Sequence, residues 1–410
     1  MSYISVDEAR ALLLARISTA LRRTDTPLNE ALGRVLADDI QAPSDWPPFS
    51  RAAMDGYAFR SANTPGTFQV VGTLYAGAVW TKPLMPGEAL RIMTGAPIPE
   101  GADTVLEQER VTEGPVIAVL NQVRPGRNIM VRGHEYRLGD PVIPAGTRLG
   151  PLDVGQLAAL GIDRVPTVLP PRVTVLSTGD EVASTTVRPL KPGQIYDANG
   201  ALLAALYAET FGCRVRRLHV PDQKRRLIAA LEKVAPASDL IITTGGVSVG
   251  AHDYIPTLME DRYQRLFWRV DMHPGKAAAA ALVHDGTIWL GLSGNPGAML
   301  TEWYLLVAPI TAQIAGWSWP ERRVRGRLAR PYSKPTRETR YLKAHFRRDP
   351  EGLWFDLIDN QSSDAIRSFR DADGLVIVPH ESPALPAETE LEALVLPFHR
   401  SRPSVLVETD

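Results

Sequence analysis

A short apolar strand that runs into a glycine-rich loop is the feature that most limits how this chain can fold. Residues 239–244 are apolar and β-branched, which is typical of a buried parallel strand, and Gly245, Gly246 and Gly250 follow. Glycine allows positive φ and lets backbone N–H groups approach a ligand. Asp253 then opens a helix, and anions bind well where a loop meets a helix N-terminus. A tight turn whose glycines serve only chain geometry is the alternative interpretation.

Length and charge exclude several classes of protein. The 410 residues are enough for roughly two to four domains. The formal net charge of −1, from 45 basic and 46 acidic residues, gives no reason to expect nucleic acid or an anionic membrane as a partner. Cys213 is the only cysteine, so no internal disulfide can form and a reducing compartment, the cytoplasm, fits best. We expect neither a signal peptide nor a membrane span, because charges interrupt the apolar N-terminus and no apolar run of about 18 residues occurs.

The middle of the chain alternates strand-like and helix-like segments, which is the pattern of a doubly wound parallel α/β sheet with ligands at the carboxyl ends of its strands. We expect Asn199 and Asp222 to cap the first two helices. A longer helix should begin at Pro296, with Asn295 as its N-cap, and kink at Pro309. The expected strands are 173–177, 213–220, 239–243 and 287–292, and the expected shorter helices are 200–211 and 223–234.

The regions on either side of this α/β part have a different composition. Ser5 and Glu8 form a capping box at the start of a first helix, and we expect 34–40 to pair with 164–169. Short β-like runs between Gly and Pro turns predict an inserted, β-rich, barrel-like domain, and the C-terminal region is predicted to be a β domain with no helix of its own. The expected boundaries are an N-terminal helix at 1–22, an elongated connecting domain at 23–45 and 142–171, the inserted domain at 46–141, the α/β domain at 172–320 and a C-terminal β-barrel domain at 321–410.

Three loops should meet at one edge of the α/β sheet, because the carboxyl ends of parallel strands share an edge. They are 177–181, 243–253 and 292–297, and each carries Gly with Thr, Ser, Asn or Asp. A site for a phosphorylated, polar ligand explains three such loops better than turn chemistry does. Asp180, Glu181 and Asp253 could hold Mg²⁺, which prefers oxygen ligands and often bridges phosphates. The alternative for each acid is a carboxylate that only favours a helix dipole.

Three shorter motifs carry polar groups outside those loops. In the turn His273-Pro-Gly-Lys276, Lys276 can supply a point charge to phosphate or another oxyanion, although a solvated turn lysine is the simpler explanation. In the inserted region, Ala53-Met-Asp-Gly-Tyr-Ala58 and Ile92-Met-Thr-Gly-Ala-Pro-Ile-Pro99 are unusual as turns alone, although Asp-Gly is common in hairpins. Arg132-Gly-His-Glu135 is a third polar cluster.

Together these motifs resemble the molybdopterin molybdenumtransferases, the family of bacterial MoeA and the E domain of gephyrin. The resemblance runs along essentially the whole chain, and its motifs occur in the family's order. They are Glu30-Ala-Leu-Gly-Arg-Val-Leu-Ala37, Met54-Asp-Gly-Tyr-Ala58, Met93-Thr-Gly-Ala-Pro97, Gly101-Ala-Asp103, Pro144-Ala-Gly-Thr-Arg-Leu149, Ser177-Thr-Gly-Asp-Glu181, Gln194-Ile-Tyr-Asp-Ala-Asn199, Thr244-Gly-Gly-Val-Ser-Val-Gly250 with Asp253-Tyr254, and Gly294-Asn-Pro296.

The resemblance implies an elongated homodimer of four-domain subunits, in which the inserted domain of one chain closes the site of the other. It implies Mg²⁺-dependent insertion of molybdate at the dithiolene of adenylylated molybdopterin, with release of AMP. It also implies a molybdopterin adenylyltransferase and molybdoenzyme-maturation proteins as partners. Carried over position by position, the catalytic residues are Asp55, Thr94, Lys276 and Asp253, the metal ligands are Asp180, Glu181 and Asp253, and the substrate-binding residues are Thr178, Gly179, Gly245, Gly246, Ser248, Gly250, Ser293, Gly294, Asn295, Pro296, Arg132, His273 and Ser363.

The chain also departs from the family pattern, and the departures leave a second function open. His273 stands where the family has a lysine, and a histidine is largely neutral at pH 7. Ser293 replaces a proline. The other departures are at Arg51, His134, Glu135 and Ser362. One interpretation is an enzyme that inserts molybdate, or tungstate in a suitable host. The other is a paralogue that binds molybdopterin or the finished cofactor and carries it without catalysis.

Overall fold

The computed structural model describes residues 3–18, 21–247, 254–283 and 286–397. The chain divides into two compact units. The first unit consists of Met1–Thr24, Gly33–Ala37 and Pro166–Asp410, and the second consists of Asp25–Leu32 and Asp38–Val165. Of the predicted site residues, Asp55, Thr94 and Arg132 belong to the second unit and the others to the first. No described helix is long and apolar enough to cross a membrane.

The chain begins with a helix whose start is fixed by its own side chains. Helix α1 covers Val6–Leu14. The predicted capping box is confirmed, since the Ser5 hydroxyl accepts from the Glu8 N–H at 3.1 Å and the Glu8 carboxylate accepts from the Ser5 N–H at 2.7 Å. The helix ends at Leu14, earlier than its apolar spacing indicates. Strand β1, Arg23–Pro27, follows.

The second unit is built mainly of short strands, as its Gly and Pro turns predict. Its elements are β2 (Ile40–Gln41), β3 (Arg51–Ala52), β4 (Gly56–Phe59), β5 (Gly66–Leu74), β6 (Glu88–Ile92), β7 (Thr104–Glu107), β8 (Val116–Val119), β9 (Ile129–Met130), β10 (Pro141–Ile143) and α2 (Pro151–Ala159). The largest sheet has five strands in the order β7-β4-β6-β5-β8. This sheet has two edge strands, β7 and β8, so it does not close into a barrel. The closed barrel of this structure is in the C-terminal domain.

Strand β11, Arg164–Val168, has two partners. The predicted pairing of 34–40 with this strand is confirmed near its end, where the Ala37 N–H donates to the Pro166 carbonyl at 2.9 Å and the Val168 N–H to the Val35 carbonyl at 2.8 Å. The strand also pairs with β1. Sequence reasoning did not identify β1 as a partner, because the polar Arg23–Pro27 has no apolar alternation to mark it as a strand.

Six strands form the central sheet of the first unit, in the order β15-β12-β16-β19-β18-β17. The strands of this region are β12 (Val173–Thr178), β13 (Val182–Ala183), β14 (Ile195–Tyr196), β15 (Arg216–Val220), β16 (Leu240–Thr244), β17 (Gln264–Trp268), β18 (Ala279–Val283) and β19 (Thr287–Leu292). The first four strands in that order are parallel, as predicted. The last two are antiparallel to their neighbours, because 284–286 alone join β18 to β19 and a parallel crossover needs about a dozen residues.

Helices cover both faces of this sheet, as the doubly wound fold requires. They are α3 (Ala198–Phe211), α4 (Lys224–Val234), α5 (Ile255–Arg262), α6 (Pro296–Glu302) and α7 (Ala308–Ile314). Apolar residues of α1, α3, α6 and α7 form one cluster with Ile242 and Leu290, and those of α4 and α5 form another with Ile241 and Trp289. Alternate strand residues therefore point into different cores, as the two-residue period of a strand dictates.

The helical geometry changes directly before Pro309, where the sequence predicts a kink. A π-helical turn, Trp303–Val307, separates α6 from α7. Pro309 lies in the first turn of α7, directly after the π-helical turn. Trp303 is fully buried and its ring meets that of Tyr207 edge to face, with centroids 4.8 Å apart.

The C-terminal region closes into a five-stranded barrel, which confirms the predicted β domain. Its strands are β20 (Arg323–Leu328), β21 (Arg340–Asp349), β22 (Gly352–Leu357), β23 (Gly374–Val378) and β24 (Glu390–Val395), and their order in the barrel is β20-β22-β21-β23-β24. The prediction that this region has no helix is wrong, since α8 covers Ile366–Asp371. A helix of under two turns is too short to show an apolar period in the sequence.

Candidate functional site

The loops after β12, β16 and β19 meet at the carboxyl edge of the central sheet. The Thr178 hydroxyl donates to the Thr244 carbonyl at 3.0 Å, and the Gly245 N–H donates to the Leu292 carbonyl at 2.9 Å. Gly245 has a φ of 95°, and a Cβ at this position would lie 3.0 Å from the Thr178 hydroxyl oxygen. Both the backbone angle and the available space therefore favour glycine here.

Only some of the remaining predicted residues of these loops lie in the part of the chain that the structure describes. The backbone of Gly294 faces that of Gly245, since a Cβ on Gly294 would lie 3.5 Å from the Gly245 Cα. Gly179 and Gly246 also have positive φ, 128° and 68°. The structure thus brings together Thr178, Gly179, Gly245, Gly246 and Gly294. Ser248, Gly250 and Asp253 lie outside the described residues.

Asn199 holds one of these loops and does not cap α3 as predicted. The N-cap is Asp197, whose carboxylate accepts from the Gly200 N–H at 2.8 Å. The Asn199 side chain instead donates to the Gly294 carbonyl at 2.7 Å. Asp and Asn are both good caps, so composition could not decide between two candidates two residues apart. A side-chain hydrogen bond from α3 therefore holds the loop after β19 in place.

Ser363, a residue of the C-terminal domain, contacts the start of α6. Asn295 is the N-cap residue by position, but its side chain makes no capping bond and donates to the Ser363 hydroxyl at 2.8 Å. The Ser363 carbonyl accepts from the Ala298 N–H at 2.9 Å, and a Cβ on Gly297 would lie 2.8 Å from that carbonyl oxygen. Ser363 therefore lies against the first turn of α6, which begins at Pro296 as predicted.

Two carboxylates meet at the ends of β12 and β15. The Asp222 N–H donates to Asp180 Oδ1 at 3.2 Å, and the Asp180 N–H points to Asp222 Oδ2 at 3.4 Å. The Tyr254 hydroxyl is buried and has no hydrogen-bond partner among the described residues. Burial raises the pKa of Tyr254 to about 12, and the charges of Asp222 and Asp180 act in the same direction. The phenol is therefore neutral, and the charges of both acids act on it.

The sequence predicts a different role for Asp222, namely the N-cap of α4. The N-cap of α4 is Gln223, without a side-chain bond. The sequence feature that could have indicated a site role for Asp222 is its position after a parallel strand, because ligands of such folds bind at the carboxyl ends of the strands. The Glu181 carboxylate lies against Gly179. Over the described part of the chain, no group of three or more His, Cys, Asp or Glu could hold a metal ion.

A cationic turn lies between β17 and β18 and contacts the C-terminal domain. The His273 N–H donates to the Thr339 carbonyl at 2.8 Å, and the Tyr341 N–H donates to the His273 carbonyl at 2.9 Å. This pairing brings Arg340 beside His273. Sequence reasoning missed Arg340, because it belongs to no motif and lies in another domain. We name the group of His273, Lys276 and Arg340 the cationic cluster.

An acidic residue of the C-terminal domain pairs with this cationic cluster. Glu338 accepts from Lys276 Nζ at 3.0 Å and lies 3.5 Å from His273 Nδ1. Burial lowers the pKa of His273, and the charges of Arg340 and Lys276 lower it further, while Glu338 raises it. The ligand-free cluster therefore carries a neutral imidazole at pH 7.

The predicted site residues of the second unit form two clusters. The Thr94 N–H and hydroxyl both donate to Asp55 Oδ1, at 2.7 and 2.6 Å, and these bonds lower the pKa of Asp55. Arg132 donates through Nε to Asp45 at 2.6 Å. His134 and Glu135 follow Arg132 and are exposed. The structure thus places Asp55 and Thr94, from two separate predicted motifs, in direct contact.

Comparison with known proteins identifies the family. The chain matches the MoeA N-terminal region (domains I and II) over residues 4–161, a probable molybdopterin-binding domain over 174–313 and the MoeA C-terminal region (domain IV) over 325–396. The molybdopterin molybdenumtransferase of Haemophilus influenzae is 36% identical over 326 residues, which are 77% of this chain and 80% of that protein. The chain belongs to the molybdopterin molybdenumtransferases. It is thus an enzyme of a transferase family that acts in molybdenum cofactor biosynthesis.

Other molybdopterin molybdenumtransferases agree with this assignment along nearly the full length. The enzyme of Staphylococcus epidermidis strain RP62A is 32% identical over 388 residues, 92% of this chain and 91% of that one. The crystal structure of a molybdopterin biosynthesis MoeA protein from Pyrococcus horikoshii OT3 has a TM-score of 0.81 at 29% identity, covering 96% of this chain and all of that one. The predicted multi-domain α/β and β fold is therefore confirmed.

This molybdopterin molybdenumtransferase differs from the family pattern in the first unit at Ser293 and Ser362, among other positions. Ser293 replaces a proline, and both its N–H and its hydroxyl donate to Glu302. A proline could make neither bond. At Ser362, the carbonyl accepts from the buried Lys343 ammonium at 3.0 Å. In the second unit, the Arg51 guanidinium approaches the Met130 sulfur at 3.3 Å.

Proposed function

We propose that this enzyme inserts molybdate at the dithiolene of adenylylated molybdopterin, in a Mg²⁺-dependent reaction that releases AMP. The observation that carries the proposal is the position of the loop after β19. This loop contacts the glycine loop at Gly245, the C-terminal domain at Ser363 and, through Glu302, the turn that holds Lys276. A ligand with a pterin, a phosphate chain and an oxyanion partner needs such a junction of different binding surfaces.

The glycine-rich loops provide the binding surface for the pterin and its phosphates. Thr178, Gly179, Gly245, Gly246 and Gly294 leave backbone groups accessible at the carboxyl edge of the sheet, where parallel α/β folds bind ligands. Asn295 and Pro296 stand beside these loops at the start of α6, where the Ser363 carbonyl accepts from the Ala298 N–H. We assign the same role to Ser248 and Gly250 from the motif alone.

Asp180 and Asp222 fit a Mg²⁺ ion. They present two carboxylates from neighbouring strand ends, and the buried Tyr254 hydroxyl beside them lacks a partner among the described residues. Hard oxygen ligands of this kind suit Mg²⁺, with substrate phosphates and water completing the shell. When bound, the ion would neutralise phosphate charge as a Lewis acid. Glu181 and Asp253 are the further ligands that the motifs suggest.

The cationic cluster is our candidate for the molybdate-binding surface. Lys276 and Arg340 carry fixed positive charge, and Ser363 offers a hydroxyl from the neighbouring loop. Positive groups fixed before the reaction stabilise negative charge as it develops, without reorganising solvent. In this role Lys276 stabilises the oxyanion, and His273 contributes a charge when it is protonated.

The second unit supplies Asp55, Thr94 and Arg132, and we propose that they complete the site of a second chain in a homodimer. The ionised Asp55, held by Thr94, is suited to orient a group of the substrate by accepting a hydrogen bond from it. The domain boundaries expected from the sequence, a cytoplasmic location and contacts with a molybdopterin adenylyltransferase and molybdoenzyme-maturation proteins belong to the same proposal.

The decisive experiment measures AMP released from adenylylated molybdopterin with and without molybdate and Mg²⁺. We expect release to require both, and Asp180→Asn to lower kcat/KM by at least about tenfold. Glu392→Gln, in a surface ion pair of the barrel, is the control and should act like wild type. AMP release without molybdate, or unchanged kinetics in Asp180→Asn, would contradict the proposal.

A carrier of molybdopterin is the second candidate. The observation that favours it is the substitution pattern at Arg51, His134, Glu135 and His273, with the imidazole of His273 neutral in the ligand-free state. A carrier would bind adenylylated molybdopterin or the finished cofactor and show no AMP release. Calorimetry of ligand binding beside the AMP assay therefore separates the two functions, and replacing molybdate by tungstate in the same assay tests the choice of metal.

A further inference from the structure

A buried carboxyl group lies under the loop after β19. Glu302 is 0% exposed. Its Oε2 accepts from the Ser293 N–H at 2.8 Å, and its Oε1 lies 2.6 Å from the Ser293 hydroxyl oxygen. Both carboxylate oxygens of Glu302 therefore contact Ser293, the first predicted substrate-binding residue of this loop.

The same side chain supports the turn that carries the cationic cluster. A Cβ on Gly275 would lie 2.8 Å from Glu302 Cγ and 3.4 Å from Glu302 Oε1. Gly275 has a φ of 108°, so the turn passes directly over the glutamate with no side chain between them. Glu302 therefore contacts both the Ser293 loop and the turn between His273 and Lys276.

The environment of Glu302 is unusual for a structural residue. Burial raises the pKa of this carboxyl to about 8, and none of the described residues forms an ion pair with it. A buried acid without a cation costs stability unless its hydrogen bonds are satisfied. Glu302 also ends α6, and the π-helical turn begins at Trp303. Such turns occur frequently at functional sites, because they displace one helical residue from its usual place.

We propose that Glu302 is a positioning residue that holds the Ser293 loop and the His273–Lys276 turn at a fixed separation. The inference rests on the proposed function, in which the loop binds the substrate's phosphates and the turn binds molybdate. A fixed separation keeps the charged groups of the turn in place for molybdate beside the substrate's phosphates, so a displaced turn would bind molybdate less tightly. Glu302 itself touches neither substrate.

Three variants separate positioning from simple structural support. Glu302→Met keeps the volume and removes both bonds to Ser293. Glu302→Gln keeps an acceptor for the Ser293 N–H and can donate to the Ser293 hydroxyl. Thr301→Val is the matched control, since Thr301 is a fully buried neighbour in α6 whose hydroxyl bonds only to the Gly297 carbonyl within the helix.

The first measurement is amide hydrogen exchange at Ser293 in the ligand-free protein. We expect exchange to be at least about tenfold faster in Glu302→Met than in wild type, and unchanged in Glu302→Gln and Thr301→Val. The second is the kinetics of AMP release, where we expect Glu302→Met to raise the KM for molybdate about tenfold with a smaller change in kcat. Glu302→Gln should restore the wild-type KM.

The outcomes also distinguish this inference from the proposed function. If wild type does not release AMP, the proposed function fails, and the exchange data with the dissociation constant for molybdate still test the role of Glu302. Normal Ser293 exchange and molybdate affinity in Glu302→Met would overturn the inference. Equal losses in Glu302→Met and Thr301→Val, or no rescue by Glu302→Gln, would overturn it as well.

Discussion

Glu338 places a negative charge among the groups proposed to bind molybdate. Its carboxylate accepts from Lys276 Nζ at 3.0 Å and lies 3.5 Å from His273 Nδ1, and its side chain is 20% exposed. A dianion that enters the cationic cluster must either displace this carboxylate or bind against its repulsion. Glu338 therefore sets how strongly the ligand-free cluster attracts an oxyanion.

We predict that Glu338→Gln binds molybdate about three to ten times more tightly than wild type, because one unfavourable charge is removed from a partly solvated site. Isothermal titration calorimetry at low and at physiological salt measures the change. Glu392→Gln removes a glutamate from a surface ion pair in the same barrel and serves as the control. Equal or weaker affinity in Glu338→Gln would show that the carboxylate does not compete with the anion.

His273 should make molybdate binding depend on pH. Burial and the nearby Arg340 and Lys276 lower the pKa of His273, so the free protein carries a neutral imidazole at pH 7. A bound anion favours the protonated form and raises that pKa. Binding then takes up a proton, and affinity increases as pH falls.

We predict a lower dissociation constant for molybdate at pH 6 than at pH 8, and a flatter profile in His273→Lys with a gain at pH 8. One pKa unit of coupling changes the affinity about tenfold. Titration calorimetry in buffers of different ionisation enthalpy gives both the affinity and the proton uptake. Identical profiles for wild type and His273→Lys would place His273 outside the binding site.

At the scale of secondary-structure elements, the start of helix α3 shows one side chain that bonds to several groups. Asp197 caps α3 at the Gly200 N–H, accepts from the Ser177 hydroxyl at 2.9 Å and pairs with Arg217 at 2.9 Å. Its side chain is 12% exposed. The cap of α3 thus also joins the end of β12 to β15.

We predict that Asp197→Ala lowers the free energy of unfolding by about 1–3 kcal/mol, since it removes a cap and leaves the Ser177 hydroxyl without its acceptor. Asp222→Ala is the matched control, because Asp222 also precedes a helix but makes no capping bond. Urea denaturation measures both variants. A larger loss in Asp222→Ala than in Asp197→Ala would contradict the assignment of the cap.

Elements with strong local signals were predictable, and contacts between distant elements were not. The parallel strands, the capping box at Ser5 and the convergence of three loops follow from periodicity, residue type and strand direction. Arg340 could not be predicted, because its place beside His273 depends on how the barrel packs on the turn. The π-helical turn at Trp303 was equally hidden, since its residues are apolar throughout and carry no period that marks the change.

For the whole molecule, the division of the predicted site residues between two units is the central feature. Asp180, Lys276 and the glycine loops belong to the first unit, and Asp55, Thr94 and Arg132 belong to the second. The α/β and β-rich composition of these units was predictable from the sequence. Assembly of the complete site was inferred only from the family resemblance, because no local signal specifies which chain contributes which unit.

We predict that two inactive variants, Asp55→Ala and Asp180→Ala, recover activity when they are co-expressed. If each site combines units of two chains, half of the dimers are mixed and each has one intact site, so activity should reach about one quarter of wild type. Asp180→Ala with Asp222→Ala, both changed in the first unit, is the control and should remain inactive. A monomeric mass by light scattering, or no recovery in the mixed sample, would contradict a shared site.

Helix α1 packs against segments that are synthesised much later. Val6, Ala9 and Leu13 belong to the same buried cluster as Trp303 and Ile310. A ribosome that adds about 5–20 residues per second needs about 15–60 seconds to travel from the helix to those partners. The second unit, largely continuous in the sequence, leaves the ribosome during this interval and can fold first. The apolar side of α1 therefore stays exposed on the nascent chain until the α/β core is nearly complete, and a segment made early is among the last to be buried.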